Sequence, residues 1–174
     1  RNNRSVTMRL RYPGTDAAMA QGQFPIVVFA HGFQMDETPY YPFSDTLAKR
    51  GYIVALLTTE QVLFPNHENF AKDLIFTHNK LIDESTNNPN SFLYQKVIPK
   101  SAFGGHSMGG GSTVLSAQYG NPASCYFSFA AATTNPSSIT AAPNMTKPYL
   151  AFAGSRDCIA SYSTNQLPMY NSSG

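Results

Sequence analysis

The chain of 174 residues has no tryptophan, only two cysteines and few charges: Lys, Arg, Asp and Glu make up 13% of it, about half the usual share. Its surface must therefore be built largely from Asn, Ser, Thr, Gln and Tyr. The formal net charge is +2, with no run of Lys or Arg beyond the scattered Arg1, Arg4, Arg9 and Arg11, which read as a solvated strand face. That excludes the electrostatic footprint of a nucleic-acid binder. No apolar run approaches the ~18 residues of a membrane span. No stretch at the N-terminus has the layout of a signal peptide, so an exported form would already have lost it. The four histidines show no H-x-H or H-E-x-x-H spacing and the cysteines no C-x-x-C, which argues against a metal site. Gly104 to Gly111 lacks the Lys-Ser/Thr of a phosphate loop and does not match G-x-G-x-x-G, so no cofactor is expected.

Two cysteines invite pairing, but their places in the chain argue against it. Cys125 opens a predicted strand, Cys125 to Ala131, whereas Cys158 lies beyond the end of another, Pro148 to Ala153. If these strands are parallel neighbours, the thiols sit at opposite ends of a sheet, roughly 20 Å apart and outside disulfide reach. Cys158 is then free or paired with something outside this chain, and Cys125 reads as buried and inert. Low charge and the unpaired thiol point to a secreted or periplasmic protein.

What the chain does have is a rhythm of apolar runs and glycine-marked turns. Ser5 to Tyr12 alternates Val6, Met8 and Leu10 with polar neighbours, as an edge strand with one wet face does. Phe24 to Ala30 is continuously apolar and rich in β-branched residues, the mark of a central parallel strand covered on both faces. Thr38 can cap a helix with Pro39 in its first turn, Phe43 and Leu47 on one face and Gly51 closing it. Tyr52 to Thr58 is the next buried strand. After Asn66 a helix gathers Phe70, Leu74, His78 and Leu81 and runs to about Glu84, with Ser85 to Asn90 as a loop. A strand at Lys100 to Phe103, a helix at Ser112 to Tyr119, the Cys125 strand, a polar loop from Thr133 to Lys147 and the Pro148 strand follow. Strands alternating with helices through right-handed crossovers give a mostly parallel α/β sheet with helices on both faces, in a single domain over residues 1–174.

Active sites in such sheets gather at the carboxyl ends of the strands. There the sequence places His31 to Phe33, Gly105 to Gly109, the loop from Thr133, and Gly154 to Cys158. Gly105-x-Ser107-x-Gly109 lies between a strand and a helix, where a serine on a strained elbow becomes a nucleophile. A hydroxyl needs a base oriented by a carboxylate. Asp157, just past a strand end, is the best acid; Asp73, Asp83 and Glu84 read as helix surface charge. All four histidines precede Asp157, so none fits the chain order Ser, Asp or Glu, His. His106 packs into the sheet, His31 shapes its loop, His78 is a satisfied half-buried helix residue, and His67 lies exposed in a first turn. Oxyanion donors would be the amides of Met108 and Phe33, the latter turned inward at flexible Gly32.

FPIVVFAHGF, LAKRGYIVALL and GGHSMGG together resemble the α/β-hydrolase superfamily, in the branch of chlorophyllase-like esterases, dienelactone-hydrolase-like proteins and cutinase-like polyester hydrolases. Ser155-Arg156-Asp157-Cys158-Ile159-Ala160, followed by Gln166 to Tyr170, is similar to the acid-residue segment of the cutinase-like enzymes. The resemblance implies a carboxylic-ester hydrolase with Ser107 as nucleophile, Asp157 as acid, Phe33 and Met108 as oxyanion amides, and an acyl-enzyme intermediate. It also implies a histidine about 25–35 residues beyond Asp157, past Gly174. A last strand and helix are expected there too, so that the remaining C-terminal part of the same polypeptide would be the partner of a sheet with an uncovered apolar edge. Thr133 to Asn135 stands where the cutinase-like enzymes set a tryptophan, which favours small or lipid-like ester substrates. A peptidase or acyltransferase would use the same triad, and a chain without the later histidine would be a binding protein.

Overall fold

Runs such as FPIVVFA and IVALL, apolar at every position, can be satisfied only where both faces of a strand are covered. The computed structural model describes residues 4–15 and 18–174, and places them at the centre of a six-stranded sheet in the order β1-β3-β2-β4-β5-β6. The strands are β1 (Met8–Arg11), β2 (Phe24–Ala30), β3 (Ile53–Leu57), β4 (Val97–His106), β5 (Cys125–Phe129) and β6 (Tyr149–Phe152). β1 pairs antiparallel with β3, and every other pairing is parallel. The fold is the α/β-hydrolase type implied by the resemblance.

Alternate strand residues serve two layers. Ile26, Val28, Ala30, Ile53, Ala55 and Leu57 face α2 (His67–Asn87), α3 (Met108–Leu115) and α5 (Gln166–Ser172), which contribute Phe70, Leu74, Val114 and Met169. Val27, Phe29, Val54 and Leu56 face the other way, under Tyr40, Tyr41, Phe43 and Leu47 from α1 (Tyr41–Lys49) and the 3-10 turn before it. On that second face the cover is incomplete. A groove of about 470 Å³ opens over Ala102, Cys125, Phe127 and Phe129, and Leu150 and Phe152 on edge strand β6 are 56% and 49% exposed. Among the described residues no helix is long and apolar enough to cross a membrane.

Several boundaries differ from the sequence reading, each for a tertiary reason. Thr38 does not cap: it starts the 3-10 turn, and its own amide and hydroxyl donate to Asp36. α2 continues through Ser85, Thr86 and Asn87, because the buried Ser85 hydroxyl accepts from the Lys96 and Val97 amides and so makes the join to β4. Asn66 is the α2 N-cap, accepting from the Asn69 amide. β4 is ten residues long rather than four. The helix after Ser107 begins at Met108 and gives way to a 3-10 turn at Ser116. Within the Thr133 to Lys147 loop a short helix, α4 (Ser138–Ala141), starts at Ser137, whose hydroxyl accepts from the Thr140 amide.

Arg1 lies outside the described residues. Arg4 is not solvated as a strand-face charge should be: it bridges the buried carboxylates of Glu60 and Asp73. Arg11 pairs with Asp45 at 2.8 Å and lies over the Tyr41 ring. The two cysteines are unpaired. Cys125 is half-buried at the apolar groove rather than fully enclosed, and burial raises its thiol above the ordinary range.

Candidate active site

β2 lies between β3 and β4, so the strand order reverses beside it, the point at which open α/β sheets form a crevice outside the carboxyl ends of the strands. Ala30 pairs with Gly105, which sets the loop His31-Gly32-Phe33 beside the turn at Ser107. β4 ends at His106 and α3 starts at Met108, so the whole reversal is made at one residue. Ser107 has φ 53° and ψ −118°, a conformation that costs a residue with a side chain about 1–3 kcal/mol. Three hydrogen bonds hold it there. Its amide donates to the Phe129 carbonyl at 2.9 Å, and its carbonyl accepts from Ala132 at 2.9 Å and from Gly111 at 3.0 Å.

Glycines make the approach possible. A Cβ on Gly105 would lie 2.3 Å from the Gly109 carbonyl carbon, and one on Gly109 would lie 2.2 Å from the Ala30 carbonyl oxygen. The half-buried Ser107 side chain caps nothing, and its hydroxyl has no hydrogen-bond partner among the described residues. The Met108 amide is in the first turn of α3, where no intrahelical acceptor exists. The Phe33 amide likewise donates to no acceptor among the described residues. Phe33 itself is 46% exposed, a surface aromatic at the crevice rather than a core one.

The loop that carries Phe33 is tied from several sides. The buried His31 ring has Nδ1 2.7 Å from the Gly32 carbonyl oxygen and Nε2 2.7 Å from that of Thr59. The Gly32 amide donates to the Tyr40 hydroxyl at 2.9 Å, and Tyr40 Oη lies 2.9 Å from His106 Nδ1. His106 is the last residue of β4, paired with Phe129, and its half-buried ring lies beneath Gly32 against Tyr40, on the sheet face that Tyr40 and Phe43 cover. Burial lowers the His106 pKa, against a smaller opposing pull from the Asp157 carboxylate; the Tyr40 hydroxyl also reaches Met35 Sδ at 3.3 Å.

Asp157 follows β6 in an exposed loop, and its Oδ1 accepts from the Ala160 amide at 2.9 Å and the Ile159 amide at 2.8 Å. These two bonds, Ala160 first, hold its carboxyl below the ordinary aspartate range. The loop is braced by Gln166, fully buried, whose Nε2 donates to the Ala131 carbonyl at 2.6 Å and the Ala160 carbonyl at 2.9 Å. One side chain thereby joins the loop after β5 to the loop of Asp157. Asn165 adds a second tie, accepting from the Thr133 amide.

The other two histidines stand apart. His67 is half-buried rather than exposed, because its Nδ1 accepts from the Asn135 amide at 3.1 Å. His78 is buried against Phe103 with Nε2 lacking a partner, so it is not satisfied as expected, and burial lowers its pKa to about 4. None of the four histidines hydrogen-bonds Ser107. Tyr40 and Gln166 are the structural contributors that sequence reasoning gave no part. Tyr40 falls inside the helix expected after Thr38 and Gln166 inside the segment similar to the cutinase-like acid region, and only the tertiary fold brings their polar ends to the loops.

No curated protein matches the chain. A family model described as PET hydrolase-like matches residues 7–173, nearly its whole length. The chain belongs to the PET hydrolase-like family, within the polyester-hydrolase branch of the α/β hydrolases.

Proposed function

We propose that this protein is a carboxylic-ester hydrolase of the serine type. Ser107 Oγ attacks the ester carbonyl while a base takes its proton, and the Phe33 and Met108 amides hold the oxyanion of the tetrahedral intermediate. Collapse breaks the C–O bond to the leaving alcohol, which takes the proton from the base and leaves an acyl group on Ser107. Water, deprotonated by the same base, then attacks the acyl carbonyl and frees the acid and Ser107. Asp157 orients the base, with Oδ2 available because Oδ1 is committed to the Ile159 and Ala160 amides.

The observation that carries this reading is Ser107 itself: an unpartnered hydroxyl on a strained turn at the switch point, beside two unpartnered amides. The base is a histidine supplied from outside these 174 residues, since all four present are engaged elsewhere. Residues 1–174 then act as one α/β-hydrolase unit completed by the rest of its polypeptide. The same observation about the histidines favours the rival, a hydrolase-like binding protein without turnover. Small polar residues at Thr133 to Asn135 suit small or lipid-like esters ahead of polyesters. The family, the low charge and the exposed Cys158 support a secreted or periplasmic location.

Turnover of p-nitrophenyl acetate and butyrate by the full-length protein, abolished in Ser107→Ala, is expected. Adding peptide and alcohol acceptors separates hydrolase from peptidase or acyltransferase, and a polyester film tests the larger substrate. An intact, folded protein with no ester turnover would leave the binding reading in its place.

A further inference from the structure

The deepest-buried titratable group at the crevice has no role in that chemistry. His31 is 1% exposed, and both of its ring nitrogens stand 2.7 Å from main-chain carbonyl oxygens, Nδ1 from Gly32 and Nε2 from Thr59. A carbonyl oxygen only accepts hydrogen bonds, and a neutral imidazole carries one N–H. A neutral ring would therefore set a nitrogen lone pair against an oxygen lone pair at one of the two contacts. We infer that His31 is a positioning residue, held as a doubly protonated imidazolium that fixes and polarises the Gly32–Phe33 peptide. This rests on the proposed role of the Phe33 amide in holding the oxyanion.

The surroundings suit a cation. The Phe70 ring lies with its centroid 4.9 Å from the imidazole, within cation–π range. From the loop of His31 itself, the Asp36 carboxyl is held below the ordinary range by the Thr38 hydroxyl and amide first, with a smaller pull from His31. From the segment after β3, Glu60 follows Thr59; from α2, the Asp73 carboxylate accepts from the Thr59 hydroxyl at 2.6 Å. Arg4 spans these two carboxylates and is the cation on that side. Across Gly32 stand Tyr40, its hydroxyl kept protonated by burial, and neutral His106. Two charge-assisted hydrogen bonds then offset the cost of burying the charge.

The consequence for the crevice follows from peptide geometry. The Gly32 carbonyl and the Phe33 amide belong to one planar trans unit and point in opposite directions. His31 Nδ1–H and the Met35 amide, at 3.1 Å, both donate to the Gly32 oxygen, so Phe33 N–H is turned away from them and cannot swing. A cationic donor on the oxygen also withdraws electrons from the amide and strengthens its N–H as a donor.

The test is nitrogen-15 NMR of the full-length protein labelled on histidine, with His31 assigned through its contact with Phe70. Two ring N–H protons on His31 at pH 7.5 are expected, while His78 and His106 show one each. A single N–H on His31 overturns the inference, whatever becomes of ester turnover; a protein that fails to hydrolyse esters but keeps both signals overturns only the functional reading. His31→Gln supplies the kinetic arm. Its kcat should fall about 10- to 100-fold with KM changed less than about 3-fold. A folded variant with wild-type kcat, or one in which KM rises and kcat does not fall, refutes the positioning role. If the variant does not fold, the two signals in the wild type still decide.

Discussion

Replacing Gly109 with alanine tests the geometry around Ser107 without touching any side chain in the proposed chemistry. The added Cβ would lie 2.2 Å from the Ala30 carbonyl oxygen and 2.5 Å from that of His31, where ordinary contact begins at 3.4 Å. Both obstacles are backbone atoms at the end of β2, so neither can rotate aside as a side chain would. α3 and β2 must part by about 1 Å, and the parting falls between the two elements that carry the Met108 and Phe33 amides. Overpacking of this kind costs about 1–3 kcal/mol, and with backbone on both sides the upper end applies. For a chain of this size about 3 kcal/mol lowers Tm by roughly 6–12 °C. A displacement of ~1 Å in catalytic geometry lowers kcat about 100-fold. Gly120 is the control: its φ is +73°, but nothing lies within 4 Å of a Cβ there. Gly120→Ala should therefore cost only the left-handed strain, about 1–2 kcal/mol, with turnover unchanged. Thermal melts and p-nitrophenyl acetate turnover of both variants are the assay. A Gly109→Ala protein that melts and turns over like wild type would refute the close-approach argument.

Two further outcomes follow from the same contacts. Asp157→Asn keeps the oxygen that receives the Ile159 and Ala160 amides, so melting should stay within about 1 kcal/mol of wild type while kcat falls by up to ~10⁴; an active variant would remove Asp157 from the mechanism. His78 is held neutral by burial, its pKa lowered to about 4 from 6.5. A histidine with a depressed folded pKa contributes stability that is intact above pH ~6.5 and lost as pH falls towards 4, because only the unfolded chain gains the proton. The loss is about 3 kcal/mol at most and roughly 2 after solvent screening. His78→Leu should flatten the fall of Tm between those pH values, and an unchanged slope would place the acid sensitivity elsewhere.

How far the sequence carried the fold depends on where the decisive contacts lie. β2 matches its apolar run residue for residue, and Asn66 announces α2, because burial on both faces and side-chain capping are local signals. The end of α2 is not local: Ser85 stays helical because it receives two amides from the start of β4. α3 was expected to begin four residues late, since three consecutive glycines argue against a helix until their close packing on β2, Ala131 and Ala132 is known. Ser107, Asp157, Phe33 and Met108 were singled out as candidates from glycine spacing, loop position and the family resemblance. Tyr40 and Gln166 were not, because no local spacing announces that Tyr40 reaches back to the Gly32 amide or that Gln166 spans to the Ala131 carbonyl. His31 was legible as a loop-shaping residue, but the two carbonyls that face its ring come from Gly32 and Thr59, and only the folded chain brings the second one near.

The central claim is that Ser107 is the nucleophile. Intact-mass and peptide mapping of the full-length protein after exposure to a fluorophosphonate probe tests it directly. The account predicts one adduct, on the peptide holding Ser107, lost in Ser107→Ala. A folded protein that takes up no probe, or takes it up on another residue, would contradict it.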